Sequence, residues 1–318
     1  MPDGILTLLD IAKINGSDML VGLVDEAARI VPEMTGVDGR GNRVPNMGSG
    51  RTINGISYEV LVNTGLPAIG FRNANEGTDL TKSTQERRIV ECFSLTPRWA
   101  VDRVVADRSQ EGVAALMARQ ANAHFKAAMM HCGSQFYYGI SNDAKGFAGL
   151  LAQYNSAAMT VDATGTTPAT GSSVWGVKFG AEYVQWVYGN NGRFEIPDMR
   201  IQDMADNATP AKYFSAYLQE MFAHIGLQLM NKYSVGRIKD LTAETGKKLT
   251  DDLMFELMSK APAGYMFDVF FMSRRSLEQL RQARTATNTT GYPAQTPTEV
   301  AGIPIVVTDS ITDTETLT

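Results

Sequence analysis

An α+β fold is predicted for this chain, on three grounds. Segments with the two-residue alternation of strands are scattered between helical ones, with no regular strand–helix–strand repeat. One long segment, 108–138, carries an apolar stripe at helical spacing. Two strand-like segments, 56–62 and 88–95, flank a polar stretch, GFRNANEGTDLTKSTQERR at 70–88, that is too long for a hairpin turn.

Taken in order, residues 5–12 and 18–31 read as short helices. In the second, Leu20, Leu23, Val24, Ala27 and Val31 recur at helical spacing, Ser17 or Asp18 stands at the start, and Pro32 closes it. The glycine-rich stretch 35–55 reads as a loop or flexible arm rather than a packed element. In ISYEVLV, Ile56, Tyr58, Val60 and Val62 share one face, and RIVECFSL is its expected partner strand. A two-stranded excursion is marginal alone, so it is expected to pack on something else, most economically another subunit. In the long helix, Ala114, Met117, Ala121, Phe125, Ala128 and Cys132 form the stripe, unbroken by glycine or proline from Val113 to Cys132. Residues 155–173 read as a linker or exposed loop, followed by a strand in SVWGVKFG. From Pro210, the spacing of Phe214, Leu218, Met221 and Ile225 suggests a helix; alternation around Gly226 favours a long strand from about residue 222. Thr250 with Asp251 and Asp252 starts a helix; GYMFDVFFM is a buried strand, SRRSLEQLRQAR an amphipathic helix and GIPIVVTD a closing strand.

The 318 residues allow two or more domain-sized units, and 44% hydrophobic with 20% charged residues is ordinary for a globular protein. A net charge of −5 argues against a general polyanion binder. The two cysteines, Cys92 and Cys132, make no disulfide framework and fit a reducing compartment. The N-terminus lacks the basic and apolar regions of a secretory signal, and no window is apolar enough for a membrane span.

The search for chemistry yields little. His124 and His131 are seven residues apart on one helix, about 10 Å along its axis, whereas helical metal pairs sit four apart. The glycine-rich run 36–50 lacks the lysine and hydroxyl residue of a phosphate-binding loop. His224 has no nucleophile elbow near it and reads as a core histidine. Asp198, Asp203 and Asp206 lack the glycine and terminal glutamate of a calcium loop and read as a solvated acidic loop. Arg274 and Arg275 read as a solvent-facing basic pair. No catalytic residues, cofactor or metal are expected; a metal-dependent hydrolase using the histidines is the rival from the enzyme class.

Five stretches carry a resemblance. They are NTGLPAIGFRNANEGTDLTKSTQERRIVECFSL (63–95), the opening LLDIAKINGSD with LVDEAARIVPEM, FYYG with GFAGLLAQYN, SSVWGVKFGAEYVQWVYG (172–189), and FFMSRRSLEQLRQ with VAGIPIVVTDSITDTE. In this order they resemble the major capsid proteins of tailed bacteriophages, in a short-tailed-phage group with the HK97-type fold.

The resemblance implies an N-terminal arm (1–49), an extended loop, or E-loop (50–95), a peripheral domain with a long spine helix (96–154 and 251–318) and an axial domain (155–250). It implies inter-subunit contacts through Phe71, Arg72, Asn75, Glu76, Lys82, Arg87 and Arg88, as ion pairs with acidic neighbours rather than a cross-link at Lys82. It further implies self-assembly through hexamers and pentamers into an icosahedral shell around double-stranded DNA. The partners would be a scaffolding protein, a portal protein, a cement protein and the packaged DNA, held non-specifically, with no membrane. The place would be the virion, assembled in the host bacterial cytoplasm. An encapsulin-like cellular compartment of the same fold is the alternative.

Overall fold

The structure, a computed structural model, describes every residue except 1–4, 16–26, 28, 155–156, 207–210, 289–291 and 318. Most of the helix expected over 18–31 therefore lies outside the described residues. Helix α1 (Leu8–Asn15) begins where Thr7 and Asp10 cap each other, the Thr7 amide and hydroxyl donating to Asp10 Oδ2 at 2.9 and 2.7 Å. Pro32 does not end a helix: it opens the short α2 (Pro32–Thr35), where its missing N–H is not needed, and Gly36 at φ 70° closes the turn.

The glycine-rich stretch is packed, contrary to the flexible-arm expectation. Val31, Val44, Met47 and Ile53 are buried. The glycines serve close approach: a Cβ on Gly36 would lie 2.8 Å from the Met47 carbonyl, and one on Gly48 2.9 Å from that of Met34. Two turns thereby pack back to back, and β1 (Gly50–Thr52) follows.

The alternating segments form β2 (Ser57–Gly65) and β3 (Thr84–Glu91), after which come β4 (Phe93–Leu95) and β5 (Arg98–Asp102). The Asp102 side chain caps α3 (Arg103–Ala106) through the Val104 amide. The long helix is α4 (Val113–Tyr138), 26 residues, starting after Gly112 at φ 84°. Met117, Ala128 and Cys132 of its expected stripe are buried, but Phe125 is 39% exposed. After α5 (Leu150–Gln153), residues 155–173 are not only a loop, since they include β6 (Thr160–Asp162) with Val161 buried. Then follow β7 (Ser172–Val177), β8 (Val184–Tyr188) and β9 (Arg200–Ala205).

The helical reading from Pro210 is overturned by β10 (Tyr213–Glu220). Phe214 and Leu218 are four apart, a spacing that suits one face of a strand as well as a helix, and Ala216 between them is buried with Leu218. The single long strand expected from 222 is two, β11 (Ala223–Leu229) and β12 (Val235–Leu241). The closing elements are as expected: α6 (Asp251–Lys260) capped by Thr250, β13 (Val269–Met272), and α7 (Arg274–Ala286) capped by Ser273. After them come β14 (Glu299–Val300) and β15 (Ile303–Val307).

A six-stranded sheet runs β14-β15-β13-β7-β12-β6, a four-stranded one β1-β8-β11-β4, a three-stranded one β5-β10-β9, and β2 with β3 stands as a ribbon. Strands from both sides of residue 250 share the six-stranded sheet, β14-β15-β13 joining β7-β12-β6 where β13 pairs antiparallel with β7. One aromatic core joins α4 to these sheets: Phe136 lies 5.3 Å from Trp186 and 6.4 Å from Phe271, and Tyr137 6.2 Å from Trp175, ring to ring. The C-terminal segment is strapped over β7 by Glu315, which accepts from Tyr138 at 2.6 Å and Ser173 at 2.5 Å and pairs with buried Arg237 at 3.2 Å.

Candidate functional site

The ribbon β2–β3 is the feature that sequence reasoning singled out, and its geometry divides it into a fixed base and a bare tip. Register runs from Ser57 opposite Glu91 to Asn63 opposite Gln85, then shifts so that Gly65 faces Thr84. Alternation therefore presents Tyr58, Val60 and Val62 to one side, where they pack half-buried against Ile53, Val90, Cys92, Val187 and Met230. The base is pinned further by Arg88 Nη1 donating to the Met230 carbonyl at 2.8 Å, by the Tyr58 hydroxyl on Gln228, and by Arg51 lying 4.7 Å over the Tyr58 ring. Where the ribbon crosses β11 only glycine fits: a Cβ on Gly226 would be 2.3 Å from the Glu91 carbonyl oxygen. The expectation that the excursion must find all its packing elsewhere is thus corrected, because its base packs on its own chain.

Beyond Gly65 the chain projects without cover. Leu66 is 85%, Ile69 92%, Phe71 111% and Leu80 102% exposed. The tip holds its shape by local polar bonds: Arg72 Nη1 donates to the Glu76 carbonyl at 3.1 Å, the Asn73 amide to Glu76 Oε2 at 3.1 Å, and Thr81 Oγ1 to the Ala68 carbonyl at 2.7 Å. Asn75 sits at φ 66°, a left-handed position that asparagine tolerates. Arg72, Asn75 and Glu76 therefore shape one turn, while Phe71 and Lys82 stand out from it. On the stem, Arg87 pairs with Glu59 at 3.3 Å and Arg88 with Glu86 at 3.5 Å, both within the chain.

A second surface was not found from sequence. Between α4 and the strands beside it lies an apolar groove of about 330 Å³, lined among others by Met34, Phe125, Met129, Phe194 and Ile225. Phe125 meets Phe194 edge-on at 5.8 Å, and both remain partly exposed. The sequence placed Phe125 in the apolar stripe of α4 but gave no sign that it stays partly exposed.

The histidines do not converge. His124 stacks on Trp99 at 5.1 Å, and burial pushes its imidazole below the ordinary range. His131 Nε2 lies 3.4 Å from Asp143 Oδ2. His224 is half-buried against Ser94 at 3.1 Å, not a core residue. Asp203 accepts from Ser215 within the β9–β10 pair, so the three aspartates do not form one loop. Among the described residues, no group of three or more His, Cys, Asp or Glu could hold a metal ion. Both thiols are buried and pushed up by desolvation, Cys92 to about 11 and Cys132 to about 12. Among the described residues, no helix is long and apolar enough to cross a membrane.

The fold as a whole has counterparts among solved structures. A chain from the structure of bacteriophage Epsilon15 superposes with a TM-score of 0.72 at 18% identity, over 99% of this chain and 98% of that one. The bacteriophage JBD30 capsid matches with a TM-score of 0.51 at 10% identity, covering 94% and 97%. The encapsulin of Synechococcus elongatus PCC 7942 has a TM-score of 0.41 at 10% identity, covering 71% and 96%. No curated protein matches. The fold is the HK97-type α+β capsid fold. Residues 51–318 match the model of the family described as major capsid protein GP7, and the chain belongs to that family.

Proposed function

We propose that this chain is the repeating subunit of an icosahedral shell enclosing the double-stranded DNA of a tailed bacteriophage. The observation that carries the reading is the anchored ribbon with a bare apolar tip, on a chain of the capsid family. A monomer gains nothing from holding Leu66, Ile69, Phe71 and Leu80 in water, whereas a neighbouring copy would cover them. Phe71 and Lys82 are the proposed outward contacts; Arg72, Asn75 and Glu76 shape the turn that presents them, and Arg87 and Arg88 stiffen the stem. Heterologous contacts of this kind close into rings when the rotation between copies allows it, here hexamers and pentamers. Each contact can be weak because every subunit makes several.

The domain division belongs to the same proposal: an N-terminal arm, the extended loop within 50–95, a peripheral unit around α4 and an axial unit. The pairing of β13 with β7 within one six-stranded sheet favours keeping α6, α7 and β13–β15 in one unit with β6, β7 and β12 rather than dividing at residue 250. A scaffolding protein, portal protein and cement protein are the proposed assembly partners, and the packaged DNA a non-specific one. The virion is the proposed location, with assembly in the host cytoplasm. The test is expression in bacteria, sizing and negative-stain microscopy, beside a variant with residues 66–83 replaced by a short glycine-serine link. Shells, tubes or rings from the parent, and a folded but unassembled variant, are expected. Assembly that survives loss of the tip would refute the role assigned to it.

A further inference from the structure

Glu33 lies in α2 with no exposed surface. Thr308 Oγ1, just past β15, donates to its Oε1 at 2.5 Å. Among the described residues its Oε2 has no hydrogen-bond partner, nor has the hydroxyl of Tyr137, a fully buried residue of α4. The Glu33 carbonyl accepts from Trp186 Nε1 of β8 at 2.8 Å. Gly133 lets α4 approach closely: a Cβ there would stand 2.5 Å from Ser310 Oγ and 2.8 Å from Val31 Cγ1. The segment 31–53, the long helix and the chain after β15 thus meet at one carboxyl.

Every element packed on this carboxyl presents a neutral group. Helix α4 offers the Tyr137 phenol, the segment after β15 the hydroxyls of Thr308 and Ser310, and β8 the indole of Trp186. Asp309 is exposed between Thr308 and Ser310, and no Lys, Arg or His among the described residues is paired with Glu33. A charged carboxylate here would have only neutral hydroxyls around it and no counter-ion among the described residues, whereas a protonated one costs far less to bury.

We propose that Glu33 is a proton-operated latch: protonated, it keeps segment 31–53 docked on α4 and the C-terminal segment; ionised, it loosens that docking. Burial pushes the carboxyl up from 4.5 to about 7, opposed first by the Thr308 hydrogen bond and then by the Glu33 backbone and the nearby Tyr137 and Ser310 hydroxyls. Burial and the nearby Glu33 push the Tyr137 phenol well above its ordinary range, so it stays neutral throughout. With the docked value raised, both docked and released segments hold the proton below pH 4.5, and docking is at full strength. As pH rises towards 7 the released carboxyl ionises first and docking weakens about tenfold per unit, about 300-fold in all, with no further loss above.

The test is hydrogen exchange on the full-length chain from about pH 4.5 to about pH 8. Protection factors, which remove the intrinsic pH dependence of exchange, are read at the amides of Gly36 and Val44. These amides are bonded to the Pro32 and Gly36 carbonyls at 2.9 and 3.2 Å. The parent should lose up to about 300-fold in protection across that range, and Glu33→Gln should be flat. Thr308→Val, which removes the donor favouring the ionised form, should move the midpoint upward and keeps the idea testable if Glu33→Gln does not fold. A flat parent profile, a Glu33→Gln profile parallel to the parent's, or an unmoved Thr308→Val midpoint would overturn the latch.

Discussion

Replacing Phe71 by alanine separates folding from assembly cleanly, because of where the ring sits. At 111% exposure it touches nothing whose loss would register in the isolated subunit, and surface changes of this kind alter stability by less than about 0.5 kcal/mol. If a neighbouring copy covers the ring, the same substitution removes about 2 kcal/mol of apolar burial per contact. Each subunit donates one tip, so the concentration at which assembly begins should rise about 30-fold. The assay is light scattering against subunit concentration, with chemical unfolding of the unassembled chain as the control. An unchanged threshold would show that the ring stays in water after assembly, and a loss of subunit stability beyond about 1 kcal/mol would show that it is packed within the chain. Either result would refute the reasoning.

Glu315→Gln should destabilise the subunit by about 3–5 kcal/mol in chemical unfolding, since it leaves Arg237 buried without its counter-charge. The double change Arg237→Met with Glu315→Leu should recover only part of that loss, because it removes both buried charges but leaves the buried Ser173 hydroxyl without the partners it has on both side chains. Gly226→Ala should cost about 1–3 kcal/mol and displace the ribbon base, measurable as faster exchange at the Cys92 amide, which bonds the Ile56 carbonyl. Both thiols should resist a maleimide at pH 8 in the folded chain and react once it is denatured, burial having pushed them to about 11 and about 12.

Local chemistry was legible where it was decided locally. Thr250 and Ser273 cap α6 and α7 with their own hydroxyls, and Gly112 and the alanine-rich run bound α4. Tyr58, Val60 and Val62 announced the ribbon by alternation because one face is covered and the other is not. The failures share a cause, which is that burial there is set by distant residues. Glycine-rich 36–50 looks unpacked until Met34 and Met47 show their carbonyls pressed against it. Phe214 and Leu218 suit either period, and only pairing with β5 and β9 decides for a strand. Met159 and Val161 lie in a threonine-rich run too short to show periodicity, and are buried by β12 and α6. The Glu33 site was invisible because its partner Thr308 is 275 positions away.

A long two-stranded ribbon carries a hazard of its own, since both edges offer unpaired backbone to any passing strand. The stem here carries both signs on its strands: Glu59, opposite Ile89, pairs diagonally with Arg87, and Arg88 pairs with Glu86 on the same strand. Exposed pairs of this kind add under about 1 kcal/mol to stability, so holding the stem together is not a sufficient reason for them. Their stronger effect is on pairing: an incoming copy of the stem must match a charge pattern with an intact hydrophobic face already spent on the body. The tip has the opposite character, with four large apolar side chains and the charges of Arg72, Glu76, Asp79 and Lys82 summing to zero. Although Leu61 and Ile89 are also exposed on the stem, its charges beside an apolar tip without net charge would favour association at the end of the ribbon rather than along it. Exchanging Glu59 and Glu86 for valine should therefore leave the folded subunit intact and convert ordered assembly into irregular aggregate, visible by microscopy. Ordered particles from that variant would show that the stem charges have no part in directing association.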